Sequence, residues 1–391
     1  MKLVVLSHTP HYRRGDTLVG FGPTVRELSH LAGRFTQLVH LAPLYPGEAP
    51  ASALPYGPPH GDRVVLRPLP PTGGEGLFAK LGILARAPAL LLSLRRELRR
   101  ADAWHVRAPA GVALLAMAAY RALPARPCWI KYAGNWRPQG AEPWSYRWQR
   151  RWLARPRPLV AVTVNGRWPD DPPQVTAFRN PSFTAAELAA ARQASPNGRQ
   201  LPTAPEPIEL LFVGRLDEPK GAGRAIEILA QLQRGGRAAR LTLVGSGEEQ
   251  DAFTALARQL GVAAATRFAG ELPRPQLELF YRRAHFLLHP SRSSEGWPKV
   301  LSEAMAYGAV PLAGAVSSIP QGLADAGAGA ALPPLDLPAY CAAIAAYLAE
   351  PDRYQAESRR AQEAAAAFTY DCHLAAVEEL FATRWNLQLA P

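Results

Sequence analysis

Short apolar runs alternate with longer amphipathic stretches along most of the 391 residues. In the first half the runs are KLVVLSH (2–8), TQLVHLAPL (36–44), RVVLRPL (63–69), AWHVRAP (103–109), CWIKYAG (128–134) and PLVAVTVNG (158–166). Residues 24–34, 78–100, 110–122 and 143–154, between several of them, carry apolar positions at helical spacing. The second half repeats the pattern with IELLFVG (208–214), RLTLVGSG (240–247), TRFAGE (266–271), HFLLHPS (285–291) and AVPLAG (309–314). Helical spacing recurs there at 222–234, 249–260, 275–283, 298–307 and 338–349. Strands alternating with helices predict parallel sheets covered on both faces, with right-handed crossovers. Two such sets predict an α/β chain of two doubly wound, Rossmann-like domains, 1–190 and 205–370. The Pro-, Asn- and Gly-rich stretch 194–207 is the expected break. Residues 371–391 read as a closing helix returning to the N-terminal domain, with Leu374, Val377, Leu380, Phe381 and Trp385 at helical spacing. Ligands of open α/β sheets bind beyond the carboxyl ends of the strands, so the site is expected in the cleft across which the domains face.

Composition narrows the function classes. At 48% hydrophobic residues the chain can build real cores. Cys128, Cys341 and Cys372 are odd in number and far apart, which indicates neither a disulfide framework nor a metal cluster and fits a cytoplasmic protein. The opening MKLVVLSHTP reads as a first core strand, and the most apolar stretch, 76–94, is interrupted by Lys80, Arg86 and Pro88. Charge is uneven. Residues 1–185 hold 25 Lys and Arg against 10 Asp and Glu, and the remainder 19 against 22, so the whole positive excess lies in the first half. That predicts an anionic partner for the N-terminal domain: a membrane surface, an acidic substrate or nucleic acid. No recognisable nucleic-acid reader module is present, which argues against a nucleic-acid partner. A nicotinamide dehydrogenase is disfavoured because no Gly-x-Gly-x-x-Gly follows the first strand.

Chemistry concentrates at the ends of the second-half strands. IELLFVG closes on Gly214 and runs into Arg215-Leu-Asp-Glu-Pro-Lys220-Gly221 before a helix. An Arg fork and a Lys point charge on a strand-to-helix loop can neutralise a diphosphate; an ordinary surface loop is the competing reading. Further on, SSEGWPKVLSEAMAYGAVPL (293–312) places Glu295 before a Gly296-Trp297-Pro298-Lys299 turn and Glu303 inside the following helix. Pro298 suits a first helical turn, and the free N–H groups at 297–300 suit a phosphate. A carboxylate on each side of that point can accept hydrogen bonds from sugar hydroxyls, one from a transferred sugar and one from a ribose. Singly, Glu295 also reads as a helix-dipole partner and Glu303 as a solvent-facing residue.

FVGRLDEPKG followed about eighty residues later by SEGWPKVLSEAMAYGAVPL resembles the retaining glycosyltransferases of family four, of GT-B fold. The resemblance runs through the second half, including VGSGEE (244–249), RFAGEL (267–272) and the Pro-Ser dipeptide at 290–291; the first half matches mainly in layout. It implies that Arg215 and Lys220 hold the donor diphosphate, that Glu295 contacts the donor sugar, these three being the catalytic residues, and that Glu303 meets the ribose. The turn Gly296, Trp297, Pro298, Lys299 and Val300 presents backbone to the donor, Gly270 and Leu272 lie near the base, and Gly214 ends the phosphate strand. It implies a UDP- or GDP-sugar donor, retention at the anomeric carbon without a dedicated protein nucleophile, and no cofactor. Without an Asp-x-Asp-like pair near these motifs, no essential metal is expected. A non-catalytic sugar-nucleotide-binding relative is the alternative.

On the first-half side, Gly20 and Gly22 precede Pro23 at a helix start, where the family carries a Gly-rich loop, so Gly22 is assigned to the donor. His105 and Arg107 share a strand face near its end, and Lys131 and Asn135 sit at the end of another. These four are the expected acceptor-binding residues, with His105 also reading as an interior histidine. The chain departs from its relatives at Tyr132 and Ala133, where a histidine often faces the reacting sugar; Lys131 or Asn135 is expected to substitute. The acceptor is expected to be a glycan or lipid-linked. WSYRWQRRWLARPRP (144–158) sets Trp144, Trp148 and Trp152 beside Arg147, Arg151 and Arg155, and LRRELRR (94–100) adds four arginines. Such a helix lies flat on an anionic inner membrane face, or packs its Trp stripe on the sheet and solvates its arginines.

Overall fold

In the computed structural model the residues described are all but 72–76, 139, 141, 204, 294 and 391, with the side chains of 77–85 also left out. The chain forms two compact units, Met1–Phe178 with His373–Pro391, and Arg179–Cys372.

The first unit is built on a parallel sheet. Its strands are β1 (Lys2–Leu6), β4 (Gln37–Pro43), β6 (Val64–Leu69), β7 (Ala103–Ala108), β8 (Cys128–Tyr132), β9 (Val160–Val164) and β10 (Val175–Ala177), in the order β10-β9-β8-β7-β1-β4-β6. Strand β1 is central because it is apolar on both sides. Val4 and Leu6 join one core with Trp104, Val106 and Ile130, while Leu3 and Val5 join another with Leu28, Phe35 and Trp129. A strand covered on both faces has no polar alternation, which is why these strands read as continuous apolar runs. The closing helix Tyr370–Trp385 supplies Leu374, Val377, Leu380 and Phe381 to the second of these cores. A small antiparallel sheet was not anticipated: β2 (His11–Arg14), β3 (Thr17–Phe21) and β5 (Ala53–Pro55), in the order β2-β3-β5.

The second unit carries β11 (Ile208–Val213), β12 (Ala239–Val244), β13 (Thr266–Gly270), β14 (Phe286–His289), β15 (Val310–Gly314) and β16 (Ala330–Leu332), parallel and in the order β13-β12-β11-β14-β15-β16. Its faces again divide residue by residue, with Leu210 and Phe212 on one side and Leu211 and Val213 on the other. The expected boundary needs correction. The chain enters this unit at Arg179, so the stretch 194–207 lies inside it. The helix Ala185–Gln193, opened by a reciprocal Thr184–Glu187 capping box, packs Leu188 and Ala191 against Leu301 and Met305. The Pro- and Gly-rich residues merely connect that helix to β11.

No helix among the described residues is long and apolar enough to cross a membrane. The apolar stretch 76–94 begins at Gly76, outside the described residues.

The closing helix is part of the core that holds Leu3 and Val5. Phe381 is fully buried and meets Phe35 edge to face, with ring centroids 5.8 Å apart. Phe381→Ala is expected to cost about 3–5 kcal/mol of unfolding free energy, read as a lowered urea midpoint. An unchanged midpoint would show that the helix contributes nothing to that core.

Candidate functional site

Strand β11 leaves the sheet at Val213, and residues 214–221 form the loop that opens the helix Ala222–Arg234. Gly221 caps that helix at φ +91°, and a Cβ there would lie 2.5 Å from the Pro290 carbonyl oxygen. At the end of β12, a Cβ on Gly245 would lie 1.9 Å from the Gly214 carbonyl oxygen. Both glycines let main chain meet main chain where a side chain would block it.

The charged groups of this loop form one connected set. Arg215 pairs with Asp217 at 2.7 Å, and Asp217 also accepts the Lys220 backbone N–H at 2.8 Å. The Lys220 ammonium is paired with the Glu295 carboxylate. Burial pushes the Lys220 pKa down to about 8; Arg215 acts in the same direction and Asp217 opposes them. At about 8 the ammonium form still predominates at neutral pH, and the Glu295 carboxylate lies against it. His289, at the end of β14, is fully buried and pushed down to about 3 by burial, with Lys220 adding to the shift, so its ring is neutral. Arg215, Lys220 and Glu295 are therefore brought together.

Glu303 is held by a different set. Its carboxylate accepts from the Tyr281 hydroxyl at 2.8 Å and lies 3.7 Å from Arg274. It sits in the helix Lys299–Ala306, whose N-cap is Pro298. Ahead of the cap, Gly296 accepts from the Ser318 hydroxyl at 3.2 Å, and the Trp297 carbonyl accepts from the Asn180 amide at 3.2 Å. The buried Trp297 ring stacks on Phe368, which anchors the turn. Val300 and Leu272 pack against the neighbouring core, and the Gly270 carbonyl accepts from Gly245 N–H at 2.9 Å.

In the first unit the helix Gly22–Leu31 starts at Gly22, directly after β3. From this helix the buried Glu27 carboxylate reaches both Arg107 and Lys131, each at 2.7 Å. Arg107 and Lys131 are register partners on β7 and β8, so the sheet itself sets their spacing. His105 requires correction as an acceptor contact. Its ring is fully buried and stacked on Trp129 at 3.9 Å, with Nδ1 against the Trp129 carbonyl oxygen at 3.1 Å. Burial and the nearby Arg107 and Lys131 hold its pKa well below the ordinary value. It is an interior histidine. Asn135 is buried as well, and its side-chain oxygen accepts the Arg137 N–H at 3.0 Å to shape the turn.

Residues 196–366 match the family model of glycosyl transferases group 1. Among curated proteins, a glycogen synthase of Mycobacterium tuberculosis is 33% identical over 157 residues, covering 40% of this chain and 38% of that protein. A D-inositol 3-phosphate glycosyltransferase of Kribbella flavida is 31% identical over 198 residues, covering 48% and 45%. The chain thus spans less than half the length of these relatives. Among solved structures, sucrose-phosphate synthase of Thermosynechococcus elongatus aligns at TM-score 0.74 and 19% identity, over 98% of this chain and 99% of that one. Anabaena HepE in complex with UDP and glucose aligns at TM-score 0.68 and 16% identity, over 98% and 100%. The fold is GT-B.

Several residues of this GT-B chain escaped the sequence reading. Arg224 donates to the carbonyls of Pro290 and Glu218, each at 2.8 Å, and pairs with the Glu218 carboxylate at 2.7 Å. Its signal is its place four residues before Ile228 on a buried helix face. Glu27 has the same signal, four residues before the buried Leu31. In the first unit the Tyr56 hydroxyl bridges His11 Nε2 at 2.8 Å and His40 Nδ1 at 2.5 Å, and His40 Nε2 meets Ser7 Oγ at 2.7 Å. Nothing in the spacing of those four residues marks them as partners.

Proposed function

We propose that the chain is a retaining glycosyltransferase that moves a hexosyl group from a nucleoside-diphosphate sugar to a hydroxyl of a glycan or lipid-linked acceptor. The observation that carries this reading is the connected Arg215–Asp217–Lys220–Glu295 set at the carboxyl edge of a sheet inside the matched region 196–366. Arg215 and Lys220 bind the donor diphosphate, and the turn 296–300 offers it backbone N–H groups. Glu295 binds the donor sugar, and Glu303, steadied by Tyr281, binds the ribose. In the transfer the bond between the anomeric carbon and the diphosphate oxygen breaks, and its electron pair leaves with the diphosphate. The acceptor oxygen forms the new bond from the same face, and its proton passes to the departing diphosphate. Arg215 and Lys220 stabilise the charge that develops there, so the reaction needs no metal. Arg107 and Lys131, oriented by Glu27, bind the acceptor.

The bland alternative for the Trp-rich helix prevails in part: Trp148 and Trp152 pack against the first core. Trp144 stays 66% exposed, and Arg147, Arg151 and Arg155 are exposed. We propose that this surface rests on an anionic membrane at the cytoplasmic face, where each Lys or Arg adds about 1 kcal/mol.

Screening UDP- and GDP-sugars by thermal shift identifies the donor, since a ligand that binds only the folded chain raises its melting temperature. Glu295→Gln and Lys220→Ala should each lower transfer by about 10²–10³-fold with circular dichroism unchanged. Full activity in both variants would remove the assignment. The Lys220 pKa of about 8 sets a pH dependence. The ammonium is present below that pH and lost above it, so diphosphate affinity should fall as pH rises through 8. Lys220→Arg, which keeps its charge, should flatten the profile; a wild-type profile flat from pH 7 to about pH 10 would contradict it. Sedimentation with vesicles containing anionic lipid should show binding that weakens with salt and is lost in Arg147→Glu/Arg151→Glu. Equal binding to neutral vesicles would count against the membrane contact.

A further inference from the structure

The amino edge of the second sheet, opposite the strand ends that carry Lys220, holds a cavity of about 230 Å³. Parallel register builds it. Glu209 pairs with Arg240, Leu211 with Thr242, and Thr242 with Arg267, so these side chains share one face of the sheet. Arg283 joins them from the segment after the helix Arg274–Tyr281, and Phe280 and Ala284 supply an apolar wall. Three arginines and a single carboxylate, Glu209, line the space.

Two of the arginines are only loosely engaged. Arg240 stands 3.8 Å from Glu209, beyond hydrogen-bond distance, and its side chain is 65% exposed. Arg267 lies over the Phe280 ring at 5.1 Å, a contact that uses the face of the guanidinium and leaves its in-plane donors for another group. Burial raises the Glu209 carboxyl above its ordinary range, while Arg240 and Arg283 oppose the shift. The neighbourhood is therefore electropositive, partly walled by apolar surface, and rich in planar donors.

We propose that this cavity is a second anion site, separate from the donor site, that takes a small phosphate monoester of sugar-phosphate size. A phosphate presents several acceptor oxygens to guanidinium forks, and a compact polyol body fits beside Phe280 and Ala284. A nucleoside-diphosphate sugar is too large for the space, since pockets for drug-sized ligands begin near about 300 Å³. Glu209 lies five residues before Gly214, which places this site roughly 16 Å from the Gly214 loop. Occupancy would bind β11, β12 and β13 to the end of the Arg274–Tyr281 helix and so stiffen the unit that carries Lys220 and Glu295. The proposal stands independently of the transferase reading.

The test is thermal unfolding of the full chain at constant ionic strength, with glucose 6-phosphate, inorganic phosphate, chloride and glucose as additives. Glucose 6-phosphate and phosphate should raise the melting temperature of the wild type above its value in chloride, and glucose should not. Arg240→Gln/Arg283→Gln, at two exposed positions, should abolish the rise, and Lys220→Ala should keep it. Calorimetric titration of glucose 6-phosphate should show at least a tenfold loss of affinity in the double variant. If that variant does not fold, Arg267→Gln read by the same titration replaces it. No rise over chloride, a rise that survives the double variant, or a rise lost in Lys220→Ala each overturns the proposal.

Discussion

Arg224 ties together the two loops on which the second unit's charged residues stand. It is buried, and its guanidinium holds the main chain at Glu218, Pro219 and Pro290 together with the Glu218 carboxylate. The loop 214–221 follows β11 and the segment 290–293 follows β14, so their mutual distance is set by this guanidinium as well as by the sheet. Glu218 extends the tie by pairing with Arg292. A cation carrying five planar donors is suited to such a junction, because one group satisfies several carbonyls that would otherwise be left without partners. Gly221 completes it: only a residue lacking a Cβ lets the helix start close against Pro290.

That junction explains how Lys220 and Glu295, 75 positions apart in the sequence, form a pair. Lys220 is mostly buried, and burial lowers its pKa to about 8, which leaves the ammonium form in place at neutral pH. Glu295, with 31% of its side chain exposed, lies against that ammonium, and an opposite charge in contact favours the charged form. The pair is therefore preorganised. Under the proposed function, a diphosphate arriving at Lys220 would meet an ammonium already held in place, and the carboxylate it displaces would become available to sugar hydroxyls. Arg215, tethered to Asp217 and far more exposed than Lys220, is the cation with more room to move.

The sheets were legible in the sequence because parallel strands buried on both faces are uninterrupted apolar runs. The stretch read at 208–214 is β11 at Ile208–Val213, and that read at 266–271 is β13 at Thr266–Gly270. Three-residue edge strands such as β10 and β16 carry too few positions to show a period. The β2-β3-β5 sheet was hidden because Arg13 and Arg14 interrupt any apolar run, and only pairing with Leu18 and Thr17 makes them strand. At the site, Arg215, Lys220, Glu295 and Glu303 were visible through local motif chemistry. Arg224, which ties their loops, and Tyr281 and Arg274, which hold Glu303, were not, since each sits on a helix where its neighbours read as ordinary amphipathic surface.

The first unit shows the same division between what a motif announces and what packing decides. Arg107 and Lys131 look alike in sequence, as cations near strand ends, and both are gathered by Glu27 from the helix that follows the Gly-rich turn. A carboxylate that is 1% exposed between two cations cannot relax into water, so the three charges have one arrangement. His105, one strand position away on the same face as Arg107, is instead absorbed by the Trp129 ring. The cations nearby make its charged form still less favourable. Two residues with the same strand parity thus part company over a few ångströms. The longer side chain reaches the Glu27 carboxylate, and the shorter one stays in the core as an aromatic filler.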